Sequence, residues 1–523
     1  MIRAFLGLLI ALPLFGADYL AQIHGIKPID CQIIQQVDEN YIILVEKSEV
    51  LRLGEQYASF RILDENPDNK LYLLVFNDGY DNSQLNKHGI ILEQYDDCVL
   101  FQTSEDQIRA LNNYKLELSR VWLQPIAYQP DFGELPQLTD FRIDTLIEEM
   151  VNLVSEDSIL ASVLRMQHMY TRYTTTDSNE YVAAPWIRDR LIAYGCDSVY
   201  LGYFSGTYGP NIIGIKKGLV YPQLSKYCVI GGHMDDVPSS GYAPGADDNA
   251  SGTTAMLEAA RVLRDYDFEY TIKFIGFNAE ELGLYGSHAT ADTAYAHGDT
   301  ILGVFNYDMI GYVQSVNRDT MNAHYTVAVP GCSLFVCQFY QAVADTYTQL
   351  KIRRVRSTGT SGSSDHASYW QRGYKAMLGI ERILCPGYHT IGDTVGPSGF
   401  NNLPFATKVI KTAVATLAKL AVPIHGNPGV HESPFFSKGL GFEISPSVGQ
   451  EFAIAFHVLR SGNIDISVFS SLGQRIVDLA NGFYESGIYQ RTWVVERSIP
   501  AGVYFIRCQQ DDEQVSRKVI ISY

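Results

Sequence analysis

The stretch Gly231–Gly252, which reads GGHMDDVPSSGYAPGADDNASG, carries one histidine, His233, and the aspartate pair Asp247-Asp248. An apolar run, Tyr227–Ile230, precedes it, and the amphipathic helical pattern Ser251–Leu263 follows the aspartates. Short apolar runs that alternate with helical patterns are typical of buried strands in a parallel α/β sheet. The stretch therefore predicts a buried strand, a polar loop and a helix.

Three further apolar runs are each followed by acidic residues or a histidine. They are Thr271–Phe277 before Glu280 and Glu281, Ile301–Phe305 before Asp308, and Lys375–Ile380 before His389. In an open α/β sheet, ligands bind beyond the carboxyl ends of the strands. We therefore expect an α/β fold in which these side chains meet at one edge of a mostly parallel sheet with helices on both faces.

Each of these residues also has a purely structural explanation. The segment Asp247–Asn249 could cap the following helix, because Asp and Asn side chains accept from free helical N–H groups. Glu280 and Glu281 could be carboxylates that the dipole of a following helix favours. His389, taken alone, could be an ordinary loop histidine. The agreement of four separate segments at one sheet edge favours a shared site.

The residue types indicate metal chemistry. Imidazole and carboxylate ligands without cysteine suit zinc, and also manganese or cobalt. A pair of metals roughly 3.5–4 Å apart needs a bridging carboxylate. Hydrolysis also needs a base that binds no metal and accepts the proton of the attacking water. The two acidic pairs, Asp247-Asp248 and Glu280-Glu281, can supply a bridge, a ligand and a base.

Six motifs occur in an order that points to a known family: GGHMD, PGADDNASG, NAEELGLYGS, NYDMIG, SSDHASYWQRG and PGYHTIGDT. With them the chain resembles the M28 family of zinc metallopeptidases, of the bacterial leucyl-aminopeptidase type. The resemblance covers about Asp144–Ala421 and places a zinc-exopeptidase-type domain at residues 140–422. It implies a di-zinc enzyme that hydrolyses peptide bonds, most readily an aminopeptidase that removes N-terminal residues from peptides or proteins.

The resemblance also implies a role for individual residues. The implied metal ligands are His233 and Asp308 on one zinc, Glu281 and His389 on the other, and Asp247 as the bridge between them. Glu280 would be the general base that accepts a proton from the attacking water. The family also has a cis peptide bond in the bridging motif, which we expect at Asp247–Asp248.

Three further residues have supporting roles in this interpretation. Asp235 and Asp393 would orient the ligating histidines, a common arrangement at metal sites. Tyr388 lies next to a predicted ligand, and it could contact the tetrahedral intermediate or simply pack in its loop.

Other functions remain open within the same resemblance. A glutaminyl cyclase shares the fold but binds a single zinc ion and cyclises its substrate. A carboxypeptidase or dipeptidase of the same family is a second alternative. A non-catalytic, receptor-like relative would lack a ligand or the base Glu280, and the sequence has all of them.

Composition limits the classes of partner. The chain has 523 residues, a formal net charge of −18 and 46% hydrophobic residues, which suits several packed domains. The acidic balance argues against nucleic acid or an anionic membrane surface as a partner.

Met1–Ala17 has a basic residue and a short apolar stretch, which predicts a secretory signal peptide. No other segment is long and apolar enough for a transmembrane helix.

The remaining segments predict two additional domains. Residues 18–126 contain a weak internal repeat, Cys31–Leu53 and Gly89–Leu111, and each copy predicts a hairpin followed by a helix in a small α+β region. This N-terminal region could be a propeptide, an interaction module or a structural appendage. Residues 423–438 are predicted to be a linker because the stretch is rich in Gly, Pro and Ser.

Residues 439–523 alternate apolar and polar positions, which predicts an immunoglobulin-like β-sandwich. Their segments VFSSLGQRI and IPAGVYFIRC resemble the C-terminal sorting domain of the type IX secretion system and related FlgD-like modules. That resemblance implies the secretion machinery as a partner and a secreted or cell-surface location reached through the periplasm. A generic β-sandwich is the alternative.

Overall fold

The computed structural model describes residues 17–522 apart from short gaps. The gaps are residues 30, 77–81, 127–142, 222–224, 239–240, 316–318, 329–332, 358, 425–440, 446–447, 459–460, 472, 485–486 and 511–512. All but the last residue of the predicted signal peptide Met1–Ala17, and most of the predicted linker, lie outside the described residues. The rest of the chain forms three units.

The N-terminal unit, residues 17–126, contains two four-stranded antiparallel sheets. The first has the order β2-β3-β1-β4 and comprises β1 (Tyr19–His24), β2 (Gln32–Val37), β3 (Asn40–Val45) and β4 (Arg61–Glu65), with helix α1 (Val50–Gln56). The second has the order β6-β7-β5-β8 and comprises β5 (Leu71–Phe76), β6 (Ile90–Gln94), β7 (Cys98–Thr103) and β8 (Glu117–Val121), with α2 (Asn82–Leu85) and α3 (Glu105–Leu111). Each copy of the sequence repeat is a hairpin followed by a helix.

The central unit, residues 143–424, is built on an eight-stranded sheet. Its strands are β9 (Ser198–Gly202), β10 (Asn211–Lys216), β11 (Lys226–His233), β12 (Thr271–Phe277), β13 (Thr300–Asp308), β14 (Thr320–Thr326), β15 (Lys351–Ser357) and β16 (Ala376–Glu381). Its helices are α4 (Thr145–Asn152), α5 (Glu156–Gln167), α6 (Ala184–Ala193), α7 (Ala250–Leu263), α8 (Tyr285–His297), α9 (Leu334–Tyr347), α10 (His366–Gln371) and α11 (Leu403–Ala421).

The strand order is β15-β14-β16-β13-β11-β12-β10-β9. The four strands predicted from apolar runs, β11, β12, β13 and β16, are neighbours and pair in parallel. The outer strands depart from the predicted parallel pattern, because β10 pairs antiparallel with both β12 and β9, and β14 pairs antiparallel with β16. The fold is therefore mixed α/β with a parallel centre.

Helices cover both faces of this sheet. Alternate residues of β11 point to opposite faces, as the pleat of a strand requires. Cys228 and Ile230 pack in the core that contains α5, α7, α9 and α11. Tyr227 and Val229 pack in a second core with Trp370 of α10 and residues of α8. Because both faces are buried, the central strands are mostly apolar.

The C-terminal unit, residues 441–522, contains a three-stranded and a five-stranded sheet that share one core. The strands are β17 (Gly441–Ser445), β18 (Val448–Gly449), β19 (Glu451–Val458), β20 (Gly462–Ser470), β21 (Arg475–Tyr484), β22 (Gly487–Val494), β23 (Gly502–Gln510) and β24 (Glu513–Ile521). Across the described ranges, no helix is both long and apolar enough to cross a membrane.

Candidate metal centre

The carboxyl ends of the parallel strands bring the predicted residues together. His233 is the last residue of β11, and Asp308 is the last residue of β13. Glu280 and Glu281 follow β12, and His389 lies in the loop after β16. All five side chains are buried, with at most 5% of each residue exposed. The sheet edge thus collects buried imidazoles and carboxylates.

One half of the centre surrounds His233. Its Nε2 atom lies 3.2 Å from Oδ1 of Asp308 and 3.4 Å from Oδ1 of Asp248. Its Nδ1 atom lies 3.2 Å from the carbonyl oxygen of Asp235. Because a carbonyl can only accept, the proton is on Nδ1 in the neutral ring. The Nε2 lone pair therefore faces the two carboxylates.

The other half surrounds His389 in the same way. Its Nε2 atom lies 3.1 Å from Oε2 of Glu281 and 3.2 Å from Oδ2 of Asp248. Its Nδ1 atom donates to the carbonyl oxygen of Tyr114 at 3.1 Å. Asp248 thus presents one carboxylate oxygen to each histidine. That is the arrangement expected of a carboxylate that bridges two metal ions.

This geometry corrects the predicted role of Asp247. Its Oδ1 atom accepts from the backbone N–H of Gly311 at 2.7 Å, and its carboxylate lies in a separate cluster with Glu381 and Cys385. Burial raises the pKa of Glu381 well above its usual range, and the Asp247 charge raises it further. A protonated Glu381 can then donate to Asp247. Asp247 supports the loop, and its neighbour Asp248 lies between the histidines.

The predicted position of the cis peptide bond is also wrong by one residue. The cis non-proline bond joins Asp248 to Asn249, and the Asp247–Asp248 bond is not among the cis bonds of the described residues. Asn249 is the residue that caps α7, since its Oδ1 accepts from the N–H of Gly252 at 2.7 Å. The capping explanation considered for the segment Asp247–Asn249 therefore applies to Asn249.

The two residues predicted to orient the histidines behave differently from each other. Asp235 contacts His233 through its backbone carbonyl, and its carboxylate accepts from the N–H groups of Glu280 and Glu281, both at 3.3 Å. Among the described residues, Asp393 makes no hydrogen bond to His389. Its two carboxylate oxygens accept from the N–H groups of Asp247 and Asp248, both at 2.9 Å. Asp393 therefore fixes the loop that presents Asp248.

Glu280, the predicted base, lies next to His233 and Asp308. The glutamate is buried, and its Oε1 atom has no hydrogen-bond partner among the described residues. Glu280, His233 and Asp308 offer ligand atoms that lie within 4.8 Å of one another. Burial raises the pKa of Glu280 well above its usual range, a shift that His233 opposes and that Glu117 and Glu281 increase. A raised pKa suits a group that must accept and then return a proton.

The ligand atoms of the centre, and the distances between them, fit a pair of zinc ions. Tetrahedral zinc with bonds of about 2.0–2.2 Å places neighbouring ligand atoms about 3.3–3.6 Å apart. The separations of 3.1–3.4 Å around His233 and His389 are close to this range. Four buried carboxylates face two imidazole lone pairs, so the centre carries negative charge that only bound cations or protons can balance.

Sequence reasoning missed the contribution of the N-terminal unit. Tyr388, as predicted, lies beside a histidine, and its ring stacks on His389 with 3.8 Å between centroids. Its hydroxyl donates to Glu117, the first residue of β8. Asn112 donates to the carbonyl oxygen of Glu281 at 2.6 Å. No local motif marks Asn112, Tyr114 or Glu117, because only the tertiary fold brings them to the centre.

Comparisons with known proteins find similar peptidases. Residues 211–402 match the family described as Peptidase family M28. Leucine aminopeptidase 1 of Trichophyton equinum is 26% identical over 302 residues, which cover 54% of this chain and 79% of that protein. Aminopeptidase YwaD of Bacillus subtilis is 31% identical over 226 residues, covering 41% and 46% respectively.

Among solved structures, the LapA aminopeptidase of Legionella pneumophila superposes with a TM-score of 0.55 at 22% identity. The superposition covers 68% of this chain and 99% of that chain, and it shows a common fold. The stretch that matches Peptidase family M28 contains both histidines of the centre and the acidic residues around them, so this part of the chain is similar to that family of peptidases.

Proposed function

We propose that this protein is an exported di-zinc aminopeptidase that removes residues from the free N-termini of peptides or proteins. The observation that carries the proposal is the position of Asp248, which offers one oxygen to His233 and the other to His389. Each histidine also has its own acidic neighbour, Asp308 or Glu281. Two complete ligand sets that share one carboxylate favour two ions over one.

The residue roles follow from this arrangement. His233 and Asp308 would hold one zinc, His389 and Glu281 the other, and Asp248 both. Bound zinc would supply the Lewis acidity that activates water and polarises the scissile carbonyl. Glu280 would accept the proton of the attacking water and deliver it to the leaving amine. The buried site would strengthen these electrostatic effects, because little water screens them.

The glutaminyl cyclase alternative makes a different demand on the site. A single-zinc enzyme needs only one of the two ligand sets, yet both are complete in this chain. A carboxypeptidase would instead need a cationic group beside the centre to bind the substrate carboxylate. The side chains around His389 and Glu281 are predominantly acidic, which favours a cationic α-amino group as the group recognised.

The test is hydrolysis by the purified full chain. We expect release of p-nitroaniline from leucine p-nitroanilide, loss of activity with a zinc chelator and recovery on addition of zinc. N-acetyl-leucine p-nitroanilide is the matched control, and we expect it to be a poor substrate. Equal turnover of the blocked substrate, or release of C-terminal residues from peptides, would contradict an aminopeptidase.

We also propose export, which rests on the sequence of Met1–Ala17 and on the sorting-like sequence of the C-terminal unit. Deletion of Met1–Ala17 should leave the protein in the cytoplasm. Deletion of residues 439–523 should leave an active enzyme in the periplasm, which fractionation of the native host would measure. Normal surface delivery of the second variant would show that the C-terminal unit is not a sorting domain.

A further inference from the structure

Glu117 brings a carboxylate of the N-terminal unit to the metal centre. It is the first residue of β8, it is partly buried, and the hydroxyl of Tyr388 donates to its Oε1 atom. Burial raises the pKa of Glu117 to about 8; His389 opposes that shift, while Asp308 and Asp248 add to it. The Glu117 charge also raises the pKa of Glu280, and Tyr388, which donates to Glu117, stacks on His389. Its carboxylate therefore borders the space in which a substrate must react.

The N-terminal unit is fixed firmly in this position. Asn112 donates to the carbonyl of Glu281, and Lys115 donates through Nζ to the carbonyl of Pro386 at 2.8 Å. The backbone N–H of Arg120 donates to Gly283 at 3.3 Å. A single hydrophobic core also joins the two units; it contains Ala279 and Leu282, which flank the glutamate pair, and Leu73, Phe101 and Leu118. Glu117 is thus held at the centre by its whole sheet.

An open cavity extends outward from Glu117 between the two units. Its volume is about 840 Å³, within the usual range for ligand sites. Glu117 and Tyr388 line it together with Asp96 of the N-terminal unit and Arg382 of the central unit. The N-terminal unit therefore forms one wall of the cleft and leaves room for a substrate. This favours a part in substrate binding over obstruction of the site.

Among the described residues, no lysine or arginine forms an ion pair with Glu117, and the cation that acts on it is the imidazole of His389. A peptide with a free N-terminus brings an ammonium group to this region. An ammonium group donates hydrogen bonds to a carboxylate, and such charge-assisted bonds are stronger than neutral ones. A cationic amine nearby lowers the raised pKa of Glu117, so the amine would meet an ionised acceptor in the cleft.

We propose that Glu117 binds the α-ammonium group of the peptide substrate, so that the N-terminal unit determines the selectivity for free N-termini. This inference rests on the proposed aminopeptidase function. It gives the N-terminal unit a part in the active site and explains why its sheet packs against the loop that carries Glu280 and Glu281.

The test pairs a change in the protein with a change in the substrate. The full chain and its Glu117→Gln variant are assayed on leucine p-nitroanilide and on 4-methylpentanoyl p-nitroanilide, which lacks only the amino group. We expect Glu117→Gln to lower kcat/KM on the leucine substrate by about 10- to 100-fold, mainly through KM. The effect on the analogue should be under about threefold, and zinc content should not change.

Two further variants serve as controls. Glu117→Asp keeps the charge and should retain most of the amine selectivity, whereas Asp96→Asn removes an exposed carboxylate from the same cavity wall and should change neither substrate. Equal losses on both substrates would show a structural role and overturn the inference. A gain on both would show that Glu117 obstructs the site, and loss of zinc would show that it holds the metals; either overturns the inference. A wild-type enzyme inactive on leucine p-nitroanilide would overturn the proposed function itself.

Discussion

One carboxylate oxygen of Asp248 lies 3.2 Å from Nε2 of His389, and the other lies 3.4 Å from Nε2 of His233. Both histidines use Nδ1 to donate to backbone carbonyls, so both direct Nε2 toward this one side chain. The partner of His389 is Tyr114, which belongs to the N-terminal unit. The centre is therefore assembled from two units of the chain, and its symmetry about Asp248 gives the first prediction.

Asp248→Asn should lower the zinc content sharply, because each ion loses a charged ligand oxygen. Asp247→Asn is the matched control at the adjacent position. It should keep zinc near the wild-type amount, since Asp247 accepts from the N–H of Gly311 and lies in the separate cluster with Glu381 and Cys385. Elemental analysis of both purified variants measures the difference. The reverse pattern would assign the bridge to Asp247.

Glu280→Gln should separate catalysis from metal binding. The amide keeps the shape of the side chain but cannot accept the proton of the attacking water. We expect zinc content near wild type and turnover reduced by roughly 10²–10⁴-fold. Glu281→Gln should instead weaken zinc retention, because Glu281 lies 3.1 Å from Nε2 of His389. Turnover and zinc content are measured on both variants. Loss of zinc from Glu280→Gln and its retention in Glu281→Gln would mean that the two roles are reversed.

Arg172 should be important for stability. It is fully buried, forms an ion pair with Asp236 at 3.1 Å and donates to the carbonyls of Met234 and Gly245. These bonds connect the end of β11 to the loop before Asp247. Arg172→Met would leave Asp236 buried without its partner, and we expect a loss of about 3–5 kcal/mol.

Arg188→Met is the control for that change, since Arg188 is partly exposed and its ion pair, among the described residues, is with its neighbour Asp189. It should shift stability by less than about 0.5 kcal/mol. Thermal unfolding of the full chain followed by calorimetry measures both variants. Similar unfolding temperatures for the two would mean that the Arg172 network adds little.

Gly252 should tolerate no side chain. A Cβ atom at this position would overlap the backbone oxygen of Tyr307 and the side chain of Asn249, both of which hold the loop next to Asp248. We expect Gly252→Ala to reduce stability by about 1–3 kcal/mol and to lower zinc affinity. Gly206→Ala is the control, because a Cβ atom there meets nothing within 4 Å. Full activity of Gly252→Ala would contradict the packing argument.

The sequence predicted the centre of the fold because local patterns encode it. The apolar runs of β11, β12, β13 and β16 reflect burial on both faces of the sheet, and residues after such strands converge at one edge. The antiparallel outer strands were not predicted, since strand direction depends on connections and not on local composition. The repeat in the N-terminal unit indicated its hairpins and helices but not their position against the centre.

Within the site, residue chemistry identified the imidazoles and the acidic pairs but not the choice between adjacent aspartates. Asp247 and Asp248 are chemically identical. The bond that the Gly311 N–H donates to Asp247, and the bond that the Asp248 N–H donates to Asp393, decide which carboxylate faces the histidines. Those partners are distant in sequence. Sequence reasoning missed Glu117 for the same reason, because its place at the centre depends on packing between two units.

The central claim, a pair of zinc ions that share Asp248, is tested most directly by reconstitution. Metal-free full chain is titrated with zinc while bound metal and hydrolysis of leucine p-nitroanilide are measured together. Our account predicts saturation at two zinc ions per chain, with full activity only when both are bound. Saturation at one ion, accompanied by cyclisation of N-terminal glutamine in place of hydrolysis, would contradict it.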